Sequence, residues 1–261
     1  MTERALSFGA VAEDYDRFRP APPPEVLDWL LAPGADAAVD VGAGTGALTR
    51  LLVERVRAVT AVEPDARMRR VLAARVPAAT VRAGTGEAIP VAAASQDAVL
   101  AASAWHWVDA RRALPEAARV LRPGGRLGAL WTAIDRDVPW VDALWRTLRP
   151  QRAQAAGGHG PRALEILPGE GFGPVEGPHA VRFLHRFTRE GLVRLAGTYS
   201  ATITQPRAQR SALLEEVRRA LDADPRFADP AGVDVPMVSR CYRAEAQPPG
   251  TRSSKGSGST R

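Results

Sequence analysis

The sequence predicts an α/β fold in which helices cover both faces of a doubly wound parallel sheet. Three observations support this prediction. Short apolar runs alternate with segments whose apolar residues recur at helical spacing. A glycine-rich turn at residues 42–46 joins the first such run to a helical segment. The segments between successive runs are long enough for the right-handed crossovers that parallel strands require.

The elements of the first half follow from local sequence signals. Strands are expected where a short apolar run is bounded by turn residues, and helices where the spacing is three or four residues. The expected strands are residues 38–41, 59–62, 79–82, 98–102 and 126–131. The expected helices are residues 26–31, 48–55, 66–75 and 110–121, and the expected turn is PGG at residues 123–125.

The second half is less regular than the first. The expected helices are residues 139–148, 189–196 and 207–221. The alternating pattern of residues 181–187 predicts a strand, and a last strand is expected within residues 233–244. GGHGP at residues 157–161 is typical of a loop. The tail from Gln247 is rich in Gly, Ser and Pro and is expected to be disordered.

Composition favours a cytoplasmic protein. The single cysteine, Cys241, excludes an intrachain disulfide and is typical of a reducing compartment. The N-terminal residues contain acids and lack the apolar segment of a signal peptide. No stretch approaches eighteen consecutive apolar residues, which argues against a membrane span. The chain of 261 residues suits one large domain with additional elements.

The net charge of +6 at pH 7 does not indicate a nucleic-acid partner. Lys255 is the only lysine, and the arginines are scattered among acids rather than clustered on one segment. No metal site is expected either. His159, His179 and His185 lack companions at metal-ligand spacing.

The glycine turn, GAGTGA at residues 42–47, indicates a ligand site but does not identify the ligand. Glycines let the backbone approach a ligand closely, and the amides at the following helix N-terminus bind electron-rich groups. The same letters also match the dinucleotide pattern G-x-G-x-x-A. Glu63 does not identify the ligand, because an acid after the second strand binds ribose hydroxyls whether or not the ligand is a dinucleotide. A purely structural turn remains the third interpretation.

Asp40 distinguishes these interpretations. A dinucleotide would place its pyrophosphate beside this turn, where an ionised carboxylate would repel it. A ligand with an ammonium or sulfonium group would instead be attracted. S-adenosylmethionine carries both cations and no phosphate, so the sequence predicts this cofactor. The alternative is that Asp40 only caps the amides of the turn.

Four ordered motifs extend this inference to a family. They are VDVGAGTGALT at 39–49, AVEPDARM at 61–68, GTGEAIP at 84–90 and DAVLAASAWHWVD at 97–109. With YDRFRP near the start, the chain resembles class I S-adenosylmethionine-dependent methyltransferases over about residues 8–245. Within that class it is similar to the small-molecule group of trans-aconitate methyltransferase-like (methyltransferase type 11) proteins.

The resemblance implies a Rossmann-like sheet of seven strands with the last strand antiparallel, an N-terminal helical lid and a C-terminal helical insertion. It divides the chain into a lid segment, residues 1–30, and a methyltransferase domain, residues 31–246. Within this domain the cofactor half covers about 31–133, and the acceptor and lid insertions cover about 134–230. Residues 247–261 form the tail.

The resemblance also implies a set of cofactor-binding residues: Asp40, Gly42, Ala43, Gly44, Thr45, Gly46, Glu63, Pro64, Met68, Thr85, Gly86, Glu87, Ala102 and Ser103. Asp40 is directed at the amino group, Glu63 at both ribose hydroxyls, and Met68 at the adenine. Two positions depart from the family. Thr85 replaces a frequent aspartate, and relatives often have glutamine near Ser103.

The catalytic candidates are Tyr15, Arg19 and His106. In the family the YDRFRP segment closes over the cofactor as a lid, with Tyr15 and Arg19 facing the site, and Arg19 could bind a carboxylate with two parallel hydrogen bonds. The alternative is a surface helix whose arginines are merely solvated.

Methyl transfer is an in-line displacement, to which a protein contributes mainly alignment and exclusion of water. A base is needed only if the acceptor must lose a proton. His106, between Trp105 and Trp107, is the candidate for that role or for orienting substrate, and the alternative is a pocket wall. Trp131, Trp140 and Trp145 are candidates for an apolar acceptor pocket, although aromatic residues at helical spacing are more often core residues. Tyr199 and Arg207 are further lid candidates.

The expected function is methyl transfer to a small-molecule acceptor, a carboxylate, a hydroxyl or an amine, by a monomer or homodimer. Two other classes stay open at this point. One is an NAD(P)-dependent Rossmann reductase. The other is a protein that binds S-adenosylmethionine and is catalytically silent or uses it for a reaction other than methylation.

Overall fold

The computed structural model describes residues 18–149 and 171–248. Most of the expected N-terminal lid, including Tyr15, lies outside these residues. The loop expected at 157–161 and most of the tail expected from Gln247 also lie outside them.

Within the described residues, seven strands form one sheet in the order β3-β2-β1-β4-β5-β7-β6. They are β1 (Ala37–Val41), β2 (Ala58–Val62), β3 (Thr80–Arg82), β4 (Gln96–Ala102), β5 (Leu121–Ile134), β6 (Glu176–Phe187) and β7 (Val233–Glu245). Strands β1 to β5 pair in parallel, and β7 is antiparallel to both of its neighbours. This topology confirms the predicted doubly wound sheet with an antiparallel last strand.

Helices connect the strands at nearly the predicted places. They are α1 (Val26–Leu30), α2 (Ala47–Leu52), α3 (Ala66–Arg75), α4 (Ala110–Val120), α5 (Pro139–Leu148), α6 (Arg189–Gly197), α7 (Ser200–Ile203) and α8 (Arg207–Asp222). Helix α2 ends three residues before its predicted end at residue 55. Short 3₁₀ turns at Trp105–Trp107 and Pro225–Phe227, together with α7, were not predicted.

The turn predicted at residues 123–125 is instead part of strand β5. The register against β4 shifts between Leu121 and Arg126, so the intervening residues form an irregularity inside the strand. Gly124 adopts φ +79° there and donates its amide to Ala246, which in turn donates to Gly125. Pairing with the distant Ala246 therefore keeps this segment in the sheet, a contact that local sequence cannot reveal.

The hydrophobic core lies on both faces of the sheet. All five residues of β1 are buried, as expected for a central parallel strand covered by helices on each side. A separate apolar cluster joins helices α5, α6 and α8 to Ile134, Phe187 and Met237. These three residues lie at the edge where the parallel strands end. Helices of the C-terminal half therefore cover part of the edge where open α/β sheets bind ligands.

No helix in the described part of the chain is long and apolar enough to cross a membrane.

Candidate active site

The glycine turn links β1 to α2 with left-handed backbone at three positions. Gly42, Gly44 and Gly46 have φ values of +65°, +58° and +94°. Residues with a Cβ rarely adopt this conformation, which explains the glycine spacing. The amides of Gly42 and Ala43 both donate to the carbonyl of Val62, at 2.8 and 3.1 Å. The turn is therefore tied to the carboxyl end of the neighbouring strand β2.

Close packing imposes a second requirement on two of these glycines. A Cβ on Gly42 would lie 2.6 Å from Cβ of Ala104, in the loop after β4. A Cβ on Gly46 would collide with Cδ1 of Leu72 on α3. A Cβ on Gly44 would meet nothing within 4 Å among the described residues. Gly44 thus presents the open face of the turn.

Asp40 is a buried carboxylate with one uncompensated oxygen. It is 1% exposed, and its Oδ2 accepts a 2.6 Å hydrogen bond from Oγ1 of Thr49. Oδ1 has no hydrogen-bond partner among the described residues. Burial raises the pKa of Asp40 to about 7, and the nearby charge of Glu63 acts in the same direction. Buried polar atoms almost always have partners, so Oδ1 fits a ligand that brings a donor or a cation.

Glu63 bridges the glycine turn and the start of α3. Its Oε2 accepts from the amide of Gly44 and its Oε1 from the amide of Asp65, both at 2.9 Å. Burial raises the pKa of Glu63, although these two backbone bonds act against the rise. Each carboxylate oxygen retains a lone pair after one bond, so the pair can still accept from two ribose hydroxyls.

The two raised pKa values set this site apart. Among the described carboxyl groups whose pKa clearly departs from its ordinary value, only those of Asp40 and Glu63 are raised. The others, such as Asp36 and Asp97, have lowered pKa values because arginines or backbone amides bind them. Acids kept in an unfavourable environment mark functional sites.

Four more predicted cofactor residues lie around this centre. Ala43 is buried in a cluster with Leu72, so its side chain faces the core and only its backbone is available to a ligand. Thr45 and Met68 are buried as well, at 2% and 3% exposure. Pro64 directly follows Glu63, and its carbonyl accepts from a nearby arginine.

The loop after β3 packs against the same edge. Thr85 and Ala88 form an antiparallel bridge through two backbone hydrogen bonds. A Cβ on Gly86 would lie 2.8 Å from Cγ1 of Val108, which explains a glycine there. Glu87 accepts a 2.9 Å hydrogen bond from the amide of Asp109. Burial disfavours its charge, but bonds from the Asp109 amide and the Thr85 side chain hold the pKa of Glu87 below its usual value.

The last two predicted cofactor-binding residues lie at the end of strand β4. Ala102 ends the strand, and Ser103 follows with φ +53°, an uncommon conformation for a residue other than glycine. Its amide donates to the carbonyl of Leu130 on β5 at 2.8 Å. The strained turn directs the chain from the sheet edge into Trp105–Trp107, next to the glycine turn.

His106 is exposed, whereas Trp105 is buried in the core. Nε1 of Trp131 donates a 3.1 Å hydrogen bond to Nδ1 of His106. The imidazole also contacts the ring of Trp107, with 4.7 Å between centroids. His106 is therefore not a core residue. It lies at the carboxyl edge of β4 and β5, beside the predicted cofactor residue Ser103.

Arg19 contacts the C-terminal half of the chain. Its Nε donates to Oγ1 of Thr198 at 3.0 Å, and its Nη2 donates to the Thr198 carbonyl at 3.1 Å. Its guanidinium lies over the ring of Tyr199, as does that of Arg149. Arg19, near the start of the described residues, is thus attached to the end of α6 and is brought together with Tyr199. The prediction that Arg19 binds a carboxylate stays a prediction.

The tryptophans separate into two environments. Trp131 lies at the predicted site and packs edge-on against Tyr242. Trp140 and Trp145 pack partly buried against the α5–α6–α8 cluster, under the guanidiniums of Arg226 and Arg136 respectively. No group of three or more potential metal ligands occurs in the part of the chain that the structure describes.

Sequence reasoning missed Thr49, although a signal was available. Thr49 lies nine residues after Asp40 and is 0% exposed. A hydroxyl in the first turns of a helix can reach back to an acid at the end of the preceding strand. Ala104 was also missed, since only the fold brings it against Gly42.

Comparisons with known proteins agree with this geometry. Residues 39–129 match the family model described as a methyltransferase domain. A protein of Mycobacterium bovis named uncharacterized methyltransferase is 43% identical over 242 residues, which cover 93% of this chain and 96% of the relative. A protein of Schizosaccharomyces pombe named uncharacterized methyltransferase-like is 29% identical over 247 residues, which cover 93% of this chain and 96% of that protein.

A solved structure from Anaeromyxobacter dehalogenans, described as a type II methyltransferase, has the same architecture. It superposes with a TM-score of 0.68 at 28% identity, covering 88% of this chain and 98% of that one. The sequence relatives, the strand order and the acid-flanked glycine turn agree with one another. This chain belongs to the class I S-adenosylmethionine-dependent methyltransferases.

Proposed function

We propose that this methyltransferase acts on a small-molecule acceptor, a carboxylate, a hydroxyl or an amine, by in-line displacement. When bound, S-adenosylmethionine supplies a methyl group on a positively charged sulfur. The observation that carries the proposal is the uncompensated Oδ1 of buried Asp40 beside the glycine turn. A cationic ligand compensates this oxygen, whereas a pyrophosphate at the same turn would be repelled.

Each predicted residue has a position that suits its proposed role. Asp40 would bind the amino group of the cofactor, and the amides and open face at Gly44 would lie along the methionine part. Glu63, already fixed by two backbone amides, would accept from the ribose hydroxyls. The adenine would lie between Met68 and the backbone of residues 85–87, and Ala102 and Ser103 would contact the cofactor from β4.

The proposal that the acceptor is a small molecule is supported by what covers the sheet edge. Helices α5, α6 and α8 pack against Ile134 at the end of β5, three residues beyond Trp131, which binds His106. Arg19 holds the described start of the chain against this helical layer. Such a cover aligns a small acceptor and excludes water, the two contributions that methyl transfer requires. Tyr15 is proposed to act from the same segment.

Calorimetry with S-adenosylmethionine, S-adenosylhomocysteine, NAD and NADP in parallel tests the cofactor part. We expect binding of the two adenosyl compounds and weaker binding of both by Asp40→Asn. The matched control is Asp97→Asn, which changes a carboxylate at the opposite end of β4. Tight binding of a dinucleotide without binding of the adenosyl compounds would contradict the proposal.

Release of S-adenosylhomocysteine in the presence of candidate acceptors tests the catalytic part. Turnover with at least one small acid, alcohol or amine is expected. Cofactor binding without turnover on any of them would instead favour a catalytically silent protein. A cytoplasmic location and a monomeric or homodimeric state stay predictions, and sedimentation of the full chain would measure the latter.

A further inference from the structure

Two backbone carbonyls directly after strand β2 are bound by an arginine side chain. Nη1 of Arg69 donates to the carbonyl of Glu63 at 2.8 Å and to the carbonyl of Pro64 at 2.7 Å. No backbone amide among the described residues donates to either of these oxygens. Arg69 lies near the start of helix α3, so its guanidinium ties this helix back to the segment that carries Glu63.

The helix itself does not explain an arginine at this position. The N-terminus of a helix favours acids, yet the first five residues of α3 include three arginines and no acid. Arg67 is compensated by Asp65, which binds it at 2.7 Å, and Arg70 is exposed. Arg69 is only partly exposed and binds the carbonyls instead. Its cost to the helix therefore indicates a role at the end of β2.

Arg69 completes the set of bonds that fixes Glu63. The two carboxylate oxygens of Glu63 accept from the amides of Gly44 and Asp65. The amide of Asp65 reaches Oε1 only if the chain through Pro64 takes the observed path. Arg69 binds the two carbonyls on that path, so it helps to hold the amide in place.

The charge of Arg69 favours the same result. Burial raises the pKa of Glu63, and the nearby positive charge of Arg69 acts against this rise. An ionised carboxylate accepts at both oxygens, whereas a protonated one presents a hydrogen at one of them. Arg69 therefore favours the form of Glu63 that can accept from two hydroxyls.

We propose that Arg69 is a positioning residue for cofactor binding, which holds Glu63 in place to accept hydrogen bonds from the ribose hydroxyls. The inference rests on the proposed function, which assigns these hydroxyls to Glu63. It adds a residue that acts through Glu63 and has no role in the methyl transfer step.

Two ligands that differ only at the ribose test this proposal. S-adenosylhomocysteine and its 2′,3′-dideoxy analogue are titrated into the full chain by calorimetry, and the ratio of their affinities measures the hydroxyl preference. Glu63→Gln is expected to remove most of this preference. Arg69→Met is expected to weaken S-adenosylhomocysteine about 3- to 10-fold and to change the affinity of the analogue by less than about twofold. Both ligands are measured on one preparation, so the ratio does not depend on the fraction of folded protein.

Two further variants are the controls. Arg70→Met removes the same charge from the next residue of α3 and is expected to leave both affinities unchanged. Arg69→Lys keeps a positive charge and a donor for the carbonyls, so it is expected to restore part of the hydroxyl preference.

The outcomes distinguish this inference from the proposed function. Equal weakening of both ligands in Arg69→Met, or an unchanged affinity ratio, overturns the positioning role of Arg69 when Glu63→Gln has lost the preference. A full hydroxyl preference in Glu63→Gln would instead show that Glu63 does not bind the ribose. That result would refute the proposed role of Glu63, and the inference about Arg69 with it.

Discussion

Oγ1 of Thr49 donates a 2.6 Å hydrogen bond to Oδ2 of Asp40, inside the protein and at the junction of β1 and α2. This bond satisfies one oxygen of the carboxylate and leaves Oδ1 as the oxygen without a hydrogen-bond partner among the described residues. It also lowers the pKa of Asp40, against the larger effect of burial. Thr49 therefore helps to keep a buried acid available in its charged form.

Replacing Thr49 tests this role. Thr49→Val keeps the shape but removes the donor, so both oxygens of Asp40 would lack partners and the pKa of Asp40 would rise further. We expect affinity for S-adenosylmethionine at pH 7 to fall about tenfold, as for one charge-assisted hydrogen bond. Thr49→Ser keeps the hydroxyl and is the control. Equal affinities of the Val and Ser variants in calorimetry would contradict the prediction.

Cofactor affinity should depend on pH. Asp40 has a pKa of about 7 in the ligand-free protein and must be ionised to compensate the cofactor ammonium. Binding therefore displaces a proton below pH 7, and the association constant should rise up to about tenfold per pH unit there and level off above it. Isothermal titrations between pH 5.5 and pH 8.5, roughly the range over which the acid ionises, measure this slope. Asp40→Asn should abolish it, and a pH-independent wild type would refute the assignment.

Stability of the ligand-free protein should fall as pH rises. The pKa of Asp40 is higher in the folded chain than its ordinary value of 3.8, so the folded state binds the proton more tightly. The resulting stabilisation is full below about pH 4 and is lost as pH rises toward 7, by about 4 kcal/mol at most. Asp40→Asn should be more stable than wild type at pH 8 in urea unfolding, while it binds the cofactor more weakly.

The pKa of Asp97, at the other edge of the sheet, is shifted in the opposite direction from that of Asp40. Its Oδ2 accepts from the amides of Asp36 and Ala37, and Arg122 binds its Oδ1. Burial disfavours the charge, yet these bonds hold the pKa of Asp97 below its ordinary value. Its contribution is present above about pH 4 and is lost as pH falls. Asp97→Asn should lower stability at pH 7 by about 1–2 kcal/mol and leave cofactor affinity unchanged.

The glycines of the turn should differ in their tolerance of alanine. Gly42→Ala introduces both left-handed strain and a 2.6 Å contact with Ala104. Gly44→Ala introduces only the strain, about 1–2 kcal/mol, because its Cβ enters open space. Gly42→Ala should therefore be the less stable of the two in thermal unfolding. Gly44→Ala should act mainly on cofactor affinity, since its methyl group would project toward the ligand. The reverse order of stabilities would show that the loop containing Ala104 adapts freely.

Much of the fold could be predicted because its signals are local. Five parallel strands and their helices were expected from runs of a few residues, and the glycines from the conformations that a tight strand-to-helix turn requires. Asp40 and Glu63 could be placed in the site for the same reason, because Asp40 lies in the last two residues of one predicted strand and Glu63 directly follows another. The antiparallel last strand followed from the family resemblance rather than from spacing.

The features that only the tertiary structure decided are contacts between residues that are distant in sequence. The amino acid sequence alone determined a parallel sheet with an acid-flanked glycine turn, and hence the cofactor. Only the folded chain pairs Ala246 with the segment around Gly124, attaches Arg19 to Thr198, and places Trp131 against His106. The physical reason is that backbone propensities act over a few residues, whereas the protonation of Asp40 and the orientation of the His106 imidazole depend on neighbours that packing brings from other strands and helices.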